Sequence, residues 1–101
     1  MKTIWITGGS AGIGAATAKK FNQENWRVII SSRNLDKLNK NREIIKNNSN
    51  NKDIHAIQCD ISNYVEVHKV INKIENEISQ IDLALLNAAA YSPNKNQEFD
   101  I

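Results

Sequence analysis

Cysteine is nearly missing from this sequence. Cys59 stands alone, so no disulfide can form within the chain, and a reducing, cytoplasmic setting is expected. Proline occurs once and glycine four times, which excludes collagen-like and low-complexity organisation. No charge of one sign dominates: 13 basic against 11 acidic residues leave a net charge of +2, scattered along the chain. That pattern offers neither a nucleic-acid stripe nor a membrane patch. Long apolar runs are missing too. Ile4-Trp5-Ile6 is too short for a signal peptide. Leu83 to Tyr91 is interrupted by Asn87 and is about half a membrane span.

What remains is an ordinary globular composition, with 41% hydrophobic and 24% charged residues over 101 positions, enough for one domain at most. A chain of this size buries only about 60 to 65% of the surface its unfolded form exposes, so its stability margin is thin. The sequence holds 15 Asn, 15 Ile and 10 Lys. All three have A/T-rich codons, and the skew reads as genome bias rather than chemistry.

Apolar runs alternate with helical periods. Residues 2–7 form a β-type run ending at glycines. From Gly12 to Gln23 the spacing is helical, with Ile13, Thr17 and Phe21 on one face. Asn25 suits a left-handed helix stop. Arg27 to Ser32 is a strand around Val28-Ile29-Ile30. Asn34 is the expected N-cap of a second helix with Leu35, Leu38, Arg42 and Ile45 on one face. Residues 47–51 read as a polar loop and 53–59 as an edge strand. Ser62 is the expected cap of a third helix carrying Val67, Val70, Ile71, Ile74 and Ile78 at amphipathic spacing. Ile81 to Ala88 reads as a buried fourth strand.

The fold class is therefore α/β, a Rossmann-like parallel sheet in the sequence β-α-β-α-β-α-β. Right-handed crossovers allow the strand order 3-2-1-4, an incomplete doubly wound fold. Such an order puts a topological switch between the first and fourth strands, where α/β proteins bind ligands. Residues 92–101 are expected to form a loosely ordered tail of this partial dinucleotide-binding domain.

The strongest motif is Thr7-Gly8-Gly9-Ser10-Ala11-Gly12-Ile13-Gly14, between the first strand and the first helix. A phosphate needs backbone N–H groups at a helix N-terminus and no side chain in the way. Gly8 serves the tight turn, Gly12 the close approach, and Gly14 the packing of helix on sheet. The spacing is not that of a Walker loop, since no Lys-Ser/Thr follows a glycine. A purely structural glycine turn is the bland alternative. The second strand ends in Ser31-Ser32-Arg33, where dinucleotide folds place an acid for the ribose 2′-OH or an arginine for a 2′-phosphate. No acid is present, and a guanidinium suits phosphate in charge and fork geometry, so NADP is favoured over NAD.

With these residues the chain resembles the N-terminal part of the short-chain dehydrogenase/reductase family. The family's Thr-Gly-x-x-x-Gly-x-Gly is matched at Thr7, Gly8, Gly12 and Gly14, and its adenine-contacting Asp-Val/Ile at Asp60-Ile61. Its Asn-Asn-Ala-Gly appears as Leu86-Asn87-Ala88-Ala89, with alanine where the family has glycine near the cofactor ribose. The resemblance runs from Thr3 to about Tyr91. It implies cofactor binding by Gly8, Ser10, Gly12, Ile13, Gly14, Arg33, Asp60, Ile61, Asn87 and Ala88. It also implies hydride exchange between a nicotinamide and a carbonyl or alcohol. The family's chemistry uses a serine and a Tyr-x-x-x-Lys pair beyond the fourth strand, so no catalytic residue is assigned here.

Tyr91-Ser92-Pro93-Asn94-Lys95 fits Tyr-x-x-x-Lys only as a string, because Pro93 opposes the helical turn that would align the pair. Tyr64 and His68 share a helix face and read as a surface or core-edge pair. No metal-ligand spacing surrounds His55 or His68. Cys59 reads as a small apolar group, and Trp5 and Trp26 as packing residues.

Three readings follow. The first is the NADP-binding fragment of a short-chain carbonyl/alcohol oxidoreductase lacking its catalytic half. The second is a dinucleotide-binding module that joins a separate chain, or itself, through the fourth-strand edge. The third is an inert gene remnant.

Overall fold

A computed structural model describes residues 1–8 and 12–86. The elements run β1 (Thr3–Thr7), α1 (Gly12–Gln23), β2 (Arg27–Ser31), α2 (Leu35–Asn47), β3 (Ile54–Ala56), α3 (Tyr64–Glu77) and β4 (Leu83–Leu86). All strand pairings are parallel, and the four-stranded sheet has the order β3-β2-β1-β4, the architecture expected from the sequence.

Period-two alternation divides the core into two layers. Ile4, Ile6, Val28 and Ile30 point to one face and pack with Ala18 of α1 and Leu38 and Ile45 of α2. Trp5 and Ile29 point to the other face and meet Cys59 and Val70 and Ile74 of α3. Helices α1 and α2 therefore cover one side and α3 the other, as a chain reversing direction at the β1/β4 boundary requires.

The face of α1 differs from the expected one. Gly14, Ala18 and Asn22 are buried, while Ile13 is 77% exposed and Thr17 and Phe21 are only half-buried. Small residues let the helix lie close to the sheet, which excludes the larger stripe one position earlier. Phe21 instead meets the Trp26 ring edge-on at 4.9 Å between centroids.

Asn25 ends α1 with φ 67°, and Asn34 caps α2 by accepting the Lys37 amide, both as expected. The cap of α3 is Asn63 rather than Ser62: its Oδ1 accepts the Glu66 amide at 3.1 Å. Ser62 is engaged elsewhere, its hydroxyl donating to Asp60 Oδ1. β3 is shorter than the 53–59 run, although the Ile57 and Cys59 amides still donate to Ile30 and Ser32 carbonyls. β4 is not buried. Leu83 to Leu86 are exposed throughout, because β4 pairs with β1 on one side and no other strand among the described residues pairs with it. The Tyr91–Lys95 string and residues 92–101 lie outside the described residues.

A row of polar contacts ties the N-terminal ends of the strands together. Asp82 Oδ2 accepts the Thr3 amide, and Arg27 Nη1 donates to Thr3 Oγ1. Arg27 Nε donates to Asp53 Oδ2 at 3.0 Å, and His55 Nε2 lies 2.8 Å from Asp53 Oδ1. These bonds fasten the edge opposite the C-terminal ends of the strands.

Candidate functional site

In a parallel sheet all strands finish at the same edge, so their following loops converge. Here the mouth collects Gly8 after β1, Arg33 after β2 and Asp60 beyond β3. β1 and β4 pair side by side up to Thr7 and Leu86, and this is where the order of strands along the sheet switches direction.

Gly8 has φ 74° and donates its amide to the Ser31 carbonyl at 2.7 Å, the last rung between β1 and β2. Gly12 opens α1 with φ 62°, and a Cβ built on it would meet nothing within 4 Å. Both angles lie where a side chain is strained, and among the described residues no atom would touch a Cβ at Gly12. The first turn of α1 holds Ile13, exposed, and Gly14, buried. Unpaired amides of that turn carry the positive end of the helix dipole. Ser10, Asn87 and Ala88 lie outside the described residues.

Arg33 follows β2, exposed, and among the described residues its guanidinium makes no hydrogen bond or ion pair. A shallow, open hollow is lined by Arg33, Asn34, Leu35, Asp36 and Gln58. The backbone there is tied down: Cys59 N–H donates to Ser32 O at 3.0 Å, Gln58 Nε2 to Arg33 O at 2.8 Å, and Asn34 N–H to Ser32 Oγ at 3.3 Å. Gln58, Ser32 and Asn34, which hold the backbone on either side of Arg33, lie outside the glycine motif, and a polar residue between Ile57 and Cys59 is the sequence signal for Gln58.

Asp60 Oδ1 accepts from the Ser62 hydroxyl at 2.7 Å and amide at 3.0 Å. Those bonds hold the carboxyl below the ordinary carboxylate pKa against a small desolvation effect, and the nearby Arg33 charge adds to them. The second carboxylate oxygen makes no hydrogen bond among the described residues and can accept one from an amino group. Ile61, next to it, is 37% exposed. Burial and the charges of Glu66 and Asp60 push the Cys59 thiol pKa up, so Cys59 stays a protonated core group.

Thr7 Oγ1, at the end of β1, is buried and finds no hydrogen-bond partner among the described residues. Tyr64 and His68 stack edge-on at 4.6 Å on the exposed side of α3, away from the glycine turn in sequence and in burial. Among the described residues no helix is long and apolar enough to cross a membrane.

The arrangement is a strand-glycine turn-helix unit at the switch of a parallel sheet, the architecture of a Rossmann-type dinucleotide-binding fold. Comparison with known proteins agrees. The family model described as short chain dehydrogenase matches residues 2–101. An uncharacterized oxidoreductase of Staphylococcus haemolyticus is 31% identical over 96 residues, covering 95% of this chain and 40% of that protein. The solved structure of a short chain dehydrogenase from Bacillus anthracis matches with a TM-score of 0.78 and 34% identity, over 87% of this chain and 35% of that one. An actinorhodin polyketide ketoreductase solved with NADPH shares the fold at a TM-score of 0.79 and 20% identity, over 86% of this chain and 33% of that one.

The chain belongs to the short-chain dehydrogenase family, a group of oxidoreductases that bind NAD or NADP. It spans 40% of the length of the staphylococcal relative and about a third of the solved structures.

Proposed function

We propose that this chain binds a nicotinamide dinucleotide, NADP in preference to NAD, as the cofactor-holding part of a carbonyl/alcohol oxidoreductase. The observation that carries the reading is the glycine turn: Gly8 and Gly12, both at positive φ, bracket the β1–α1 junction at the switch point, with open space around Gly12.

The residues fit a dinucleotide. Amides of the turn and of Ile13 and Gly14 would hold the pyrophosphate, and Ser10 would close the turn around it. The unpaired Arg33 guanidinium would hold the 2′-phosphate, and the free Asp60 oxygen with Ile61 the adenine. Asn87 and Ala88 would line the ribose. The bound cofactor supplies hydride exchange at a carbonyl or secondary alcohol. By the family resemblance, the serine and Tyr-x-x-x-Lys pair that handle the proton follow the fourth strand, while the residues named here would bind and orient the cofactor.

Titration of NADPH and NADH by cofactor fluorescence tests the reading. The expected result is tighter binding of NADPH, with Arg33→Ala shrinking that preference by about tenfold, the worth of one charge-assisted pair. Equal affinity for both cofactors overturns the role of Arg33, and absence of binding overturns the whole reading.

The exposed β4 strand favours a second reading, in which the chain works joined to another. Leu83 and Leu85 lie beside Ile4 and Ile6 in register but, unlike them, are 43% and 38% exposed. An apolar edge of this kind is a template for pairing with a further strand.

A further inference from the structure

Gln58 lies just past β3, in a segment that remains laddered to β2. The amides on either side of it, Ile57 and Cys59, donate to the Ile30 and Ser32 carbonyls at 2.9 and 3.0 Å. The backbone of Gln58 is thereby held at both ends, while its side chain leaves the ladder and donates Nε2 to the Arg33 carbonyl at 2.8 Å. Both residues line the same open hollow. The Arg33 guanidinium makes no hydrogen bond or ion pair among the described residues. What is fixed at Arg33 is its backbone, whose carbonyl is held by Gln58.

We propose that Gln58 is the positioning residue for Arg33, and that this bond between β3 and the β2–α2 loop helps set the preference for a 2′-phosphorylated nucleotide. The proposal rests on the reading of Arg33 as the 2′-phosphate residue and adds a distant residue that the motif does not contain. The physical ground is preorganisation. A flexible cationic side chain gains more from meeting an anion when its root is already fixed, because less freedom is lost on binding. With Gln58 removed, the Arg33 carbonyl turns to solvent, and the peptide between Arg33 and Asn34 is left with only the Ser32 hydroxyl contact to hold it. The expected loss is confined to ligands that carry the 2′-phosphate.

The test uses 2′,5′-ADP and 5′-AMP as probes, with dissociation constants measured calorimetrically on the full chain. Four forms are compared: unchanged, Gln58→Leu, Arg33→Ala and the double variant. Leucine keeps much of the side-chain volume and removes the donor, and Gln58 is exposed, so the fold is retained; thermal melts verify this. Gln58→Leu should weaken 2′,5′-ADP by about threefold to fivefold, the scale of one neutral hydrogen bond, and leave 5′-AMP unchanged. In the Arg33→Ala background the same substitution should have no further effect, since coupled residues do not act additively. Equal weakening of both nucleotides, or an effect that persists without Arg33, marks Gln58 as merely structural and overturns the proposal. If Arg33→Ala lowers 2′,5′-ADP affinity and Gln58→Leu does not, the proposal alone fails. If Arg33→Ala changes nothing, the reading of Arg33 fails and the proposal falls with it.

Discussion

Asn22 and Asn51 exchange side-chain amides across the gap between α1 and the segment before β3. Asn22 Nδ2 donates to the Asn51 carbonyl at 2.9 Å, and Asn51 Nδ2 donates to the Asn22 carbonyl at 3.0 Å and the Trp26 carbonyl at 2.9 Å. Asn51 Oδ1 also accepts the Asp53 amide at 3.0 Å. One side chain thus holds the end of α1, the start of β2 and the approach to β3. Asn51→Ala should destabilise the chain by about 2 kcal/mol, because buried carbonyls lose their donors. Asn51→Asp should recover little, since its carboxylate would face two carbonyls. Urea unfolding of the three forms measures this.

Asp53 gives the fold a pH dependence. Its burial raises the carboxyl pKa, but the hydrogen bonds from His55 and Arg27, with their charges, outweigh burial and hold it below the ordinary value. A depressed folded pKa means that the stabilisation is present above the unfolded carboxylate value of about 4 and is lost as pH falls through the folded one. Replacing the residue in Asp53→Asn should therefore cost about 1 kcal/mol at neutral pH after allowance for solvent screening. The gap between the two forms should close on acidification below about pH 4. Chemical melts across pH 3 to 8 provide the comparison, and a gap that widens in acid would contradict the assignment.

Gly12 separates strain from ligand contact. Alanine there meets no atom but must adopt φ 62°, a strain of about 1 kcal/mol. Its methyl would project into space that the dinucleotide reading reserves for ligand. Gly12→Ala should therefore melt only slightly lower while binding NADPH far more weakly, by about tenfold or beyond. Parallel thermal melts and cofactor titrations show whether the two losses part in this way.

Much of this was legible in the sequence, for physical reasons that differ by element. Val28-Ile29-Ile30 is buried on both faces and announces itself as an apolar run, and Asn25 and Asn34 mark helix ends because asparagine tolerates φ above zero and caps well. The asparagine-rich composition hid its own chemistry, however. Asn22, Asn51 and Asn63 each hold backbone groups, which codon bias alone does not account for. The buried face of α1 lies one residue past the apolar stripe of its sequence, since packing against the sheet selects the small Gly14 and Ala18 over the larger Ile13. The bond from Gln58 to the Arg33 carbonyl was not legible because it joins residues 25 positions apart in sequence. The strand-to-helix junction was legible because glycine reports backbone geometry directly, and Gly8 and Gly12 both stand at positive φ.

The exposed edge of β4 makes its own prediction. The chain should self-associate in a concentration-dependent way, and Leu85→Lys should shift it toward monomer, as charged residues blunt open strand edges. Sedimentation velocity reads both outcomes. A monomer at all concentrations would weigh against the second reading.

The most direct test of the central claim is an NMR titration of the ¹⁵N-labelled chain with NADPH, followed at the backbone amides. Binding should move the amides of Gly8, Gly12, Ile13 and Gly14 first and furthest, with Arg33 and Asp60 following. NADPH that shifts amides only elsewhere, or leaves all of them in place at saturating concentration, would contradict the account.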